Sequence, residues 1–226
     1  MEMTIDLWKS MTGIEQTMWL QENKPANYMS AAKRKVLHGF GVNDVNYCTQ
    51  PVFGDFSVRC PAYVAWANII SRCYGNSSQI KRPKYIGVKV CDEWLSFSAF
   101  RAWWICNQVD GWQIDKDLIG DSSTYSPSSC KFVPCWLNAF TIDSGASRGE
   151  YPIGVHFDKA RSRFVARCRN PITGKSVPLG RFTDKDEAHL AWMNFKLSIA
   201  MDLRCEMDLI DSRIYPRVVE IIRNTR

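Results

Sequence analysis

The chain has no apolar run long enough to span a bilayer, about 18 residues or more, no C-x-x-C pair and only three histidines. The first absence excludes a membrane-spanning helix. The opening residues MEMTIDLWKS carry an acid at position 2 and no basic stretch leading into an apolar block. That is not a secretory signal, so the protein is expected to remain in the cytoplasm where it is made. The missing C-x-x-C and the scattered His38, His156 and His189 leave no tetrahedral ligand set, so no zinc is expected. The nine cysteines, odd in number with Cys130 and Cys135 the nearest pair, are expected to be reduced and mostly buried.

What is present is a 226-residue chain that is 46% apolar and carries nine tryptophans, enough for one or two packed domains. The net charge is +6, and its placement is more informative than its size. Residues 148–183 hold eight basic side chains against two acidic ones, while the rest of the chain balances at 21 of each. A charge excess confined to one segment is the footprint of a polyanion-binding surface.

Residues 1–40 are the least legible and are read as an ill-defined N-terminal arm. Ile5, Leu7, Trp8, Met11 and Ile14 have partly helical spacing, and Pro25 interrupts it. Residues 31–37 suggest a short helix carrying Lys33, Arg34 and Lys35, either a solvated helix or an arm along a DNA backbone. Pro61 suits the first turn of a helix reaching Tyr74 and ended by Asn76-Ser77-Ser78. Residues 88–91 fit a short strand. Trp94, Phe97, Phe100 and Trp104 recur at helical spacing in a second helix starting near Ser96. An aromatic stripe at that spacing is expected in the core rather than as a base-stacking platform.

Residues 111–140 predict a strand over 112–118, a loop rich in turn residues, a strand over 130–133 and a helix starting near Pro134. This strand–loop–strand–helix order, with Ile114-Asp115-Lys116-Asp117, Tyr125-Ser126-Pro127, the Cys130 to Pro134 run and Asn138, resembles the HNH endonuclease-like proteins of bacteriophages and mobile elements. The similarity reaches back to about Pro61. It implies a ββα-metal module over 41–145. In that family the first strand ends in an Asp-His pair and the helix supplies Asn or His; here those positions are Asp115-Lys116 and Asn138. The resemblance thus implies catalytic roles for Asp115, Lys116 and Asn138. It also implies a Mg2+ or Mn2+ ion held by Asp115 and Asn138, with Asp117 assisting and Asp121 a weaker candidate. A solvated lysine, with a pKa of about 10.4, makes a poor general base. Two adjacent aspartates favour its charged form. Lys116 is therefore assigned to a phosphate or a salt bridge, leaving water activation to the metal or to Asp117. A plainer reading also stands, in which residues 115–117 are a charge cluster closing a turn.

Residues 145–151 (GASRGEY) read as a linker, and the pattern then changes. Strands are predicted over 153–157, 163–169 and 176–182, followed by a helix that a Thr183/Asp186 capping box would open. Ala188, Ala191, Trp192, Phe195 and Ile199 share one face of it. In the second strand Phe164, Ala166 and Cys168 alternate with Arg163, Val165, Arg167 and Arg169, giving one apolar face and one arginine-rich face. With the Gly180/Phe182/Ala188/Trp192 spacing, residues 152–203 resemble an Apetala2-like DNA-binding domain. That likeness implies that Arg163, Arg167, Arg169 and Arg181 face the major groove of double-stranded DNA, with Arg161 and Lys175 on phosphates. Residues 204–226 are read as a helical tail broken near Pro216.

The expected fold class is α+β. Two functions remain open: a metal-dependent DNA endonuclease guided by its C-terminal module, and a non-catalytic DNA-binding regulator or antagonist of a host enzyme on a degenerate HNH scaffold. A phage-encoded protein of either kind would act in the bacterial host cytoplasm.

Overall fold

The computed structural model describes residues 3–120, 122–142 and 150–225. It is a mixed α+β protein in two compact units, Met1–Phe132 and Val133–Arg226. The division falls earlier than the linker read at 145–151, of which residues 145–149 lie outside the described residues. Among the described residues no helix is long and apolar enough to cross a membrane.

The first unit begins with α1 (Ile5–Ser10), α2 (Gly13–Asn23) and α3 (Tyr28–Ala32). α2 opens on a capping box in which Thr12 and Glu15 satisfy each other's backbone amides. Met3, Trp8, Thr17 and Leu20 are buried. Residues 1–40 are therefore not a detached arm; they supply part of this unit's core. The predicted basic helix over 31–37 does not form either, since α3 stops at Ala32. Arg34 instead donates to three backbone carbonyls, Asn43 at 3.1 Å, Tyr47 at 2.8 Å and Val45. It clamps the chain rather than reaching for a phosphate.

A hairpin, β1 (Val52–Phe53) and β2 (Phe56–Ser57), leads into α4 (Pro61–Tyr74), which has Pro61 in its first turn. Asn76-Ser77-Ser78 begins another helix, α5 (Asn76–Lys81), where the sequence suggested only a stop. β3 (Lys89–Val90) and a 3-10 turn precede α6 (Phe97–Asn107), capped by Ser96. The aromatic stripe packs inward as expected: Trp94, Phe97, Phe100 and Trp104 are buried in one core cluster with Trp66. The Trp66 indole N–H donates to the Trp94 carbonyl at 2.7 Å, so burial of its polar atom is compensated.

β4 (Trp112–Asp115) forms a two-stranded sheet with β6 (Lys131–Pro134), the strand at which the chain passes between the units. Between them β5 (Thr124–Tyr125) pairs in parallel with β3, so the predicted loop contains a strand of its own.

The second unit contains α7 (Cys135–Thr141), then β7 (Val155–Asp158), β8 (Arg163–Arg169) and β9 (Ser176–Phe182) in one antiparallel sheet of order β7-β8-β9. α8 (Lys185–Asp202) packs on one face of the sheet. Its cap is Asp184, which accepts from the Asp186 and Glu187 amides at 2.8 and 3.0 Å; the expected Thr183/Asp186 box is replaced by this shorter closure. A Cβ on Gly154, at φ 79°, would lie 2.0 Å from the Trp192 ring, so only glycine lets β7 approach the helix this closely. His189 on the next turn pairs through Nδ1 with the Ile153 carbonyl at 3.1 Å.

The C-terminal residues are not a loose tail. They form α9 (Arg204–Ile210) and α10 (Ile214–Asn224), which bury Met207, Ile214, Val218 and Ile222, and α10 packs on α8 and α7. Pro216 lies in the first turn of α10, where no intrahelical amide is required, and the break falls before it.

None of the nine cysteines is in a disulfide; four are buried, and Cys106, Cys135 and Cys205 are exposed. The expectation of mostly buried thiols therefore holds for fewer than half.

Candidate nucleic-acid interface

The cross-strand register settles which side chains share the solvent face of the sheet. Directly opposed residues lie on the same side, and the pairs Asp158–Arg163, His156–Val165–Arg181, Arg167–Pro178 and Arg169–Ser176 make up one face. The opposite rows, Val155–Ala166–Gly180 and Phe157–Phe164–Phe182, lie on the side covered by α8. Ala166 and Cys168 are buried while Arg163, Arg167, Arg169 and Arg181 are exposed, so the alternation expected for residues 163–169 is what the fold displays.

The register slips between Ala166 and Arg167, where Leu179 is the extra residue of a bulge and Gly180 sits at φ 140°. Beside the bulge lies an open depression of about 530 Å³ lined by His156, Asp158, Val165, Arg167, Pro178 and Arg181. Alternation along the first strand, with Val155 and Phe157 inward, would have placed His156 on this face from sequence alone.

The basic residues are not equivalent. Arg161 is 61% exposed but pairs with Asp158 at 3.1 Å, and Asp158 also accepts from the Ala160 and Arg161 amides. Arg163 donates to the Ser162 carbonyl at 3.1 Å. Lys175 is exposed at the end of a turn closed by Asn170, whose Oδ1 accepts from Ile172 and Thr173. Arg167, Arg169 and Arg181 have no carboxylate partner among the described residues.

The Asp115–Lys116–Asp117 corner is built differently. β4 ends at Asp115 because the Asp115 Oδ1 accepts from the Asp117 and Leu118 amides, at 2.8 and 2.9 Å, and turns the chain. The expected strand to Leu118 is cut short, and Asp117 does not share a strand face with Asp115. Lys116 is only 6% exposed. Its Nζ donates to Asp117 Oδ1 at 2.5 Å and to the Ser122 carbonyl at 2.6 Å, and lies 5.6 Å from the centre of the Tyr125 ring. Burial, and then the charge of Asp117, push the Asp115 carboxyl above its ordinary range against the pull of the two amides and of Lys116. The loop is drawn in by Ser129, whose Oγ donates to the Thr124 carbonyl at 2.5 Å. A side chain at Gly120 would meet Ser129 at 2.6 Å.

Asn138 lies in α7, in the second unit, with its carbonyl accepting from Thr141 Oγ1 at 3.1 Å; Asp115, Lys116 and Asp117 lie in the first. Asp121 is outside the described residues. Among the described residues no group of three or more His, Cys, Asp or Glu side chains is placed to hold a metal ion. The corner does not fit the Mg2+ or Mn2+ ion that the HNH resemblance implies. Asp117 already faces an ammonium, and Asp115 has an oxygen committed to two amides. A second cation here would meet the fixed charge of Lys116.

Comparison with protein-family models, with curated proteins and with solved structures finds no match to this chain.

Proposed function

We propose that this chain is a double-stranded DNA-binding protein that presents the solvent face of β7-β8-β9 to the major groove, in the manner of the Apetala2-like domain it resembles. The observation that carries this reading is the row of exposed arginines, Arg163, Arg167, Arg169 and Arg181, on the one sheet face that α8 leaves open. Guanidinium groups bond phosphates and guanine edges in pairs, so a rigid sheet that spaces them suits a duplex. Lys175, and Arg161 once released from Asp158, flank that face as phosphate contacts.

Of the two functions open from sequence, the non-catalytic one is preferred. Lys116 is buried and engaged with Asp117 and Ser122, a structural cation rather than a base or a substrate contact. The HNH-like segment then serves as a scaffold, and the protein acts as a regulator or antagonist by occupying DNA.

Two measurements test this. In a salt titration against duplex DNA, log affinity should fall with log salt by about 0.9 per neutralised phosphate. The Arg167→Ala/Arg169→Ala variant should flatten that dependence, and an unchanged slope would overturn the sheet interface. Supercoiled plasmid with Mg2+ or Mn2+ should remain intact. Nicking that disappears in both Asp115→Ala and Asn138→Ala would restore the endonuclease reading.

A further inference from the structure

Outside the C-terminal segment the charges balance only on average. From residue 56 to residue 91 the chain has six basic residues and no acidic one. Five of them belong to consecutive elements of the first unit. Arg72 is in the last turn of α4, Lys81 ends α5, Arg82 caps it, Lys84 is in the 3-10 turn Pro83–Tyr85, and Lys89 is in β3. Lys81, Arg82, Lys84 and Lys89 are exposed. None of the five has a carboxylate partner among the described residues.

Tyr85 gathers two of the cations. Arg72 Cζ lies 5.8 Å and Lys84 Nζ 5.4 Å from the centre of the Tyr85 ring. Aromatic faces attract cations but do not neutralise them. A group of like charges held together without an acid is relieved by a polyanion.

We infer that the face bearing Arg72, Lys81, Arg82, Lys84 and Lys89 is a second nucleic-acid contact, binding the sugar–phosphate backbone of duplex DNA without reading its sequence. This rests on the reading of the chain as a DNA-binding protein. Tyr85 already carries two cations against its ring, so it is not a platform for an unpaired base, and a duplex backbone is the better occupant. An anionic membrane is the other polyanion to weigh, because Ile80 and Ile86 are exposed beside the cations. α5 has only six residues, about 9 Å of helix, too short to lay an apolar face into a bilayer surface.

The test uses the full chain and a fluorescent short duplex, titrated at several salt concentrations. Four proteins are compared: wild type, Lys81→Gln/Arg82→Gln/Lys84→Gln, Arg167→Ala/Arg169→Ala, and all five changes together. Matching thermal unfolding curves establish that the surface variants are folded. The triple change should weaken binding about tenfold and reduce the salt slope by about 2 to 3, equally for every duplex sequence. If it binds as wild type does while the sheet variant weakens, the second contact is refuted and the sheet interface stands. If the triple variant weakens and the sheet variant does not, the sheet interface is refuted and the second contact stands. Wild type that ignores DNA but binds vesicles containing phosphatidylserine refutes both.

Discussion

Lys116 and Arg167 are both long cationic side chains belonging to strand-led segments, and the fold treats them in opposite ways. Lys116, just past the end of β4, is buried against Asp117, Ser122 and Tyr125. Arg167, in the middle of β8, stands in solvent with no carboxylate to meet it among the described residues. A buried, paired cation organises its own backbone and has little left to offer a ligand. An exposed, unpaired one adds little to folding and keeps its charge for a partner.

The sharpest way to break this contrast is Lys116→Ala. It removes the ammonium from the Ser122 carbonyl and from Asp117 and should cost about 2 to 3 kcal/mol in urea unfolding. Because Lys116 touches no proposed DNA contact directly, the salt slope of the folded variant should match wild type. Next in size, Arg167→Ala should weaken duplex binding by about 1 to 2 kcal/mol while shifting stability by less than about 0.5 kcal/mol. A stability loss comparable to that of Lys116→Ala would erase the distinction. Asp158→Asn should free Arg161 yet keep an acceptor for the Ala160 and Arg161 amides. Binding should tighten by less than about 1 kcal/mol, and the salt slope should steepen by up to about 0.9.

The smallest effect concerns pH and two aspartates of the first unit. For Asp44, burial pushes the pKa up. Hydrogen bonds from the Ser98 and Ser96 hydroxyls and from the Ser98 amide outweigh it, holding the carboxyl below 3.8. Its stabilising contribution is present above 3.8 and fades as pH falls through the lower folded value. Asp115, raised from 3.8, has the opposite sign: its contribution is present below 3.8 and is lost as pH rises through the higher folded value. Relative to wild type, Asp44→Asn should therefore do better in acid than at neutral pH, and Asp115→Asn the reverse. Urea midpoints at both pH values provide the check, and equal signs would refute the assignment.

Much of the local structure is legible in the sequence because it obeys a period. Alternation defines β8 and β9 with their ends, and helical spacing places Trp94 to Trp104 in a core. What escapes is whatever a single side chain decides. Asp115 ends β4 by taking two amides, Arg34 dissolves an expected helix by binding three carbonyls, and Asp184 takes the cap that Thr183 was expected to form. These are choices among hydrogen-bond partners of similar strength, and no periodicity records them. The candidate site divides in the same way. The arginine face follows from alternation, whereas the burial of Lys116 depends on a loop returning from Gly120 to Ser129. The net balance of 21 basic and 21 acidic residues outside 148–183 also hid the acid-free stretch from 56 to 91, because a total carries no positions.

The packing of α10 on α8 has a consequence for synthesis. Translation proceeds in chain order, so the three strands and α8 emerge before Ile214, Val218 and Ile222 exist to cover that helix. At about 5 to 20 residues per second, the wait between Asp202 and Ile214 is roughly 0.6 to 2.4 s. During that interval α8 already lies on the sheet while the apolar side it turns to α10 is uncovered.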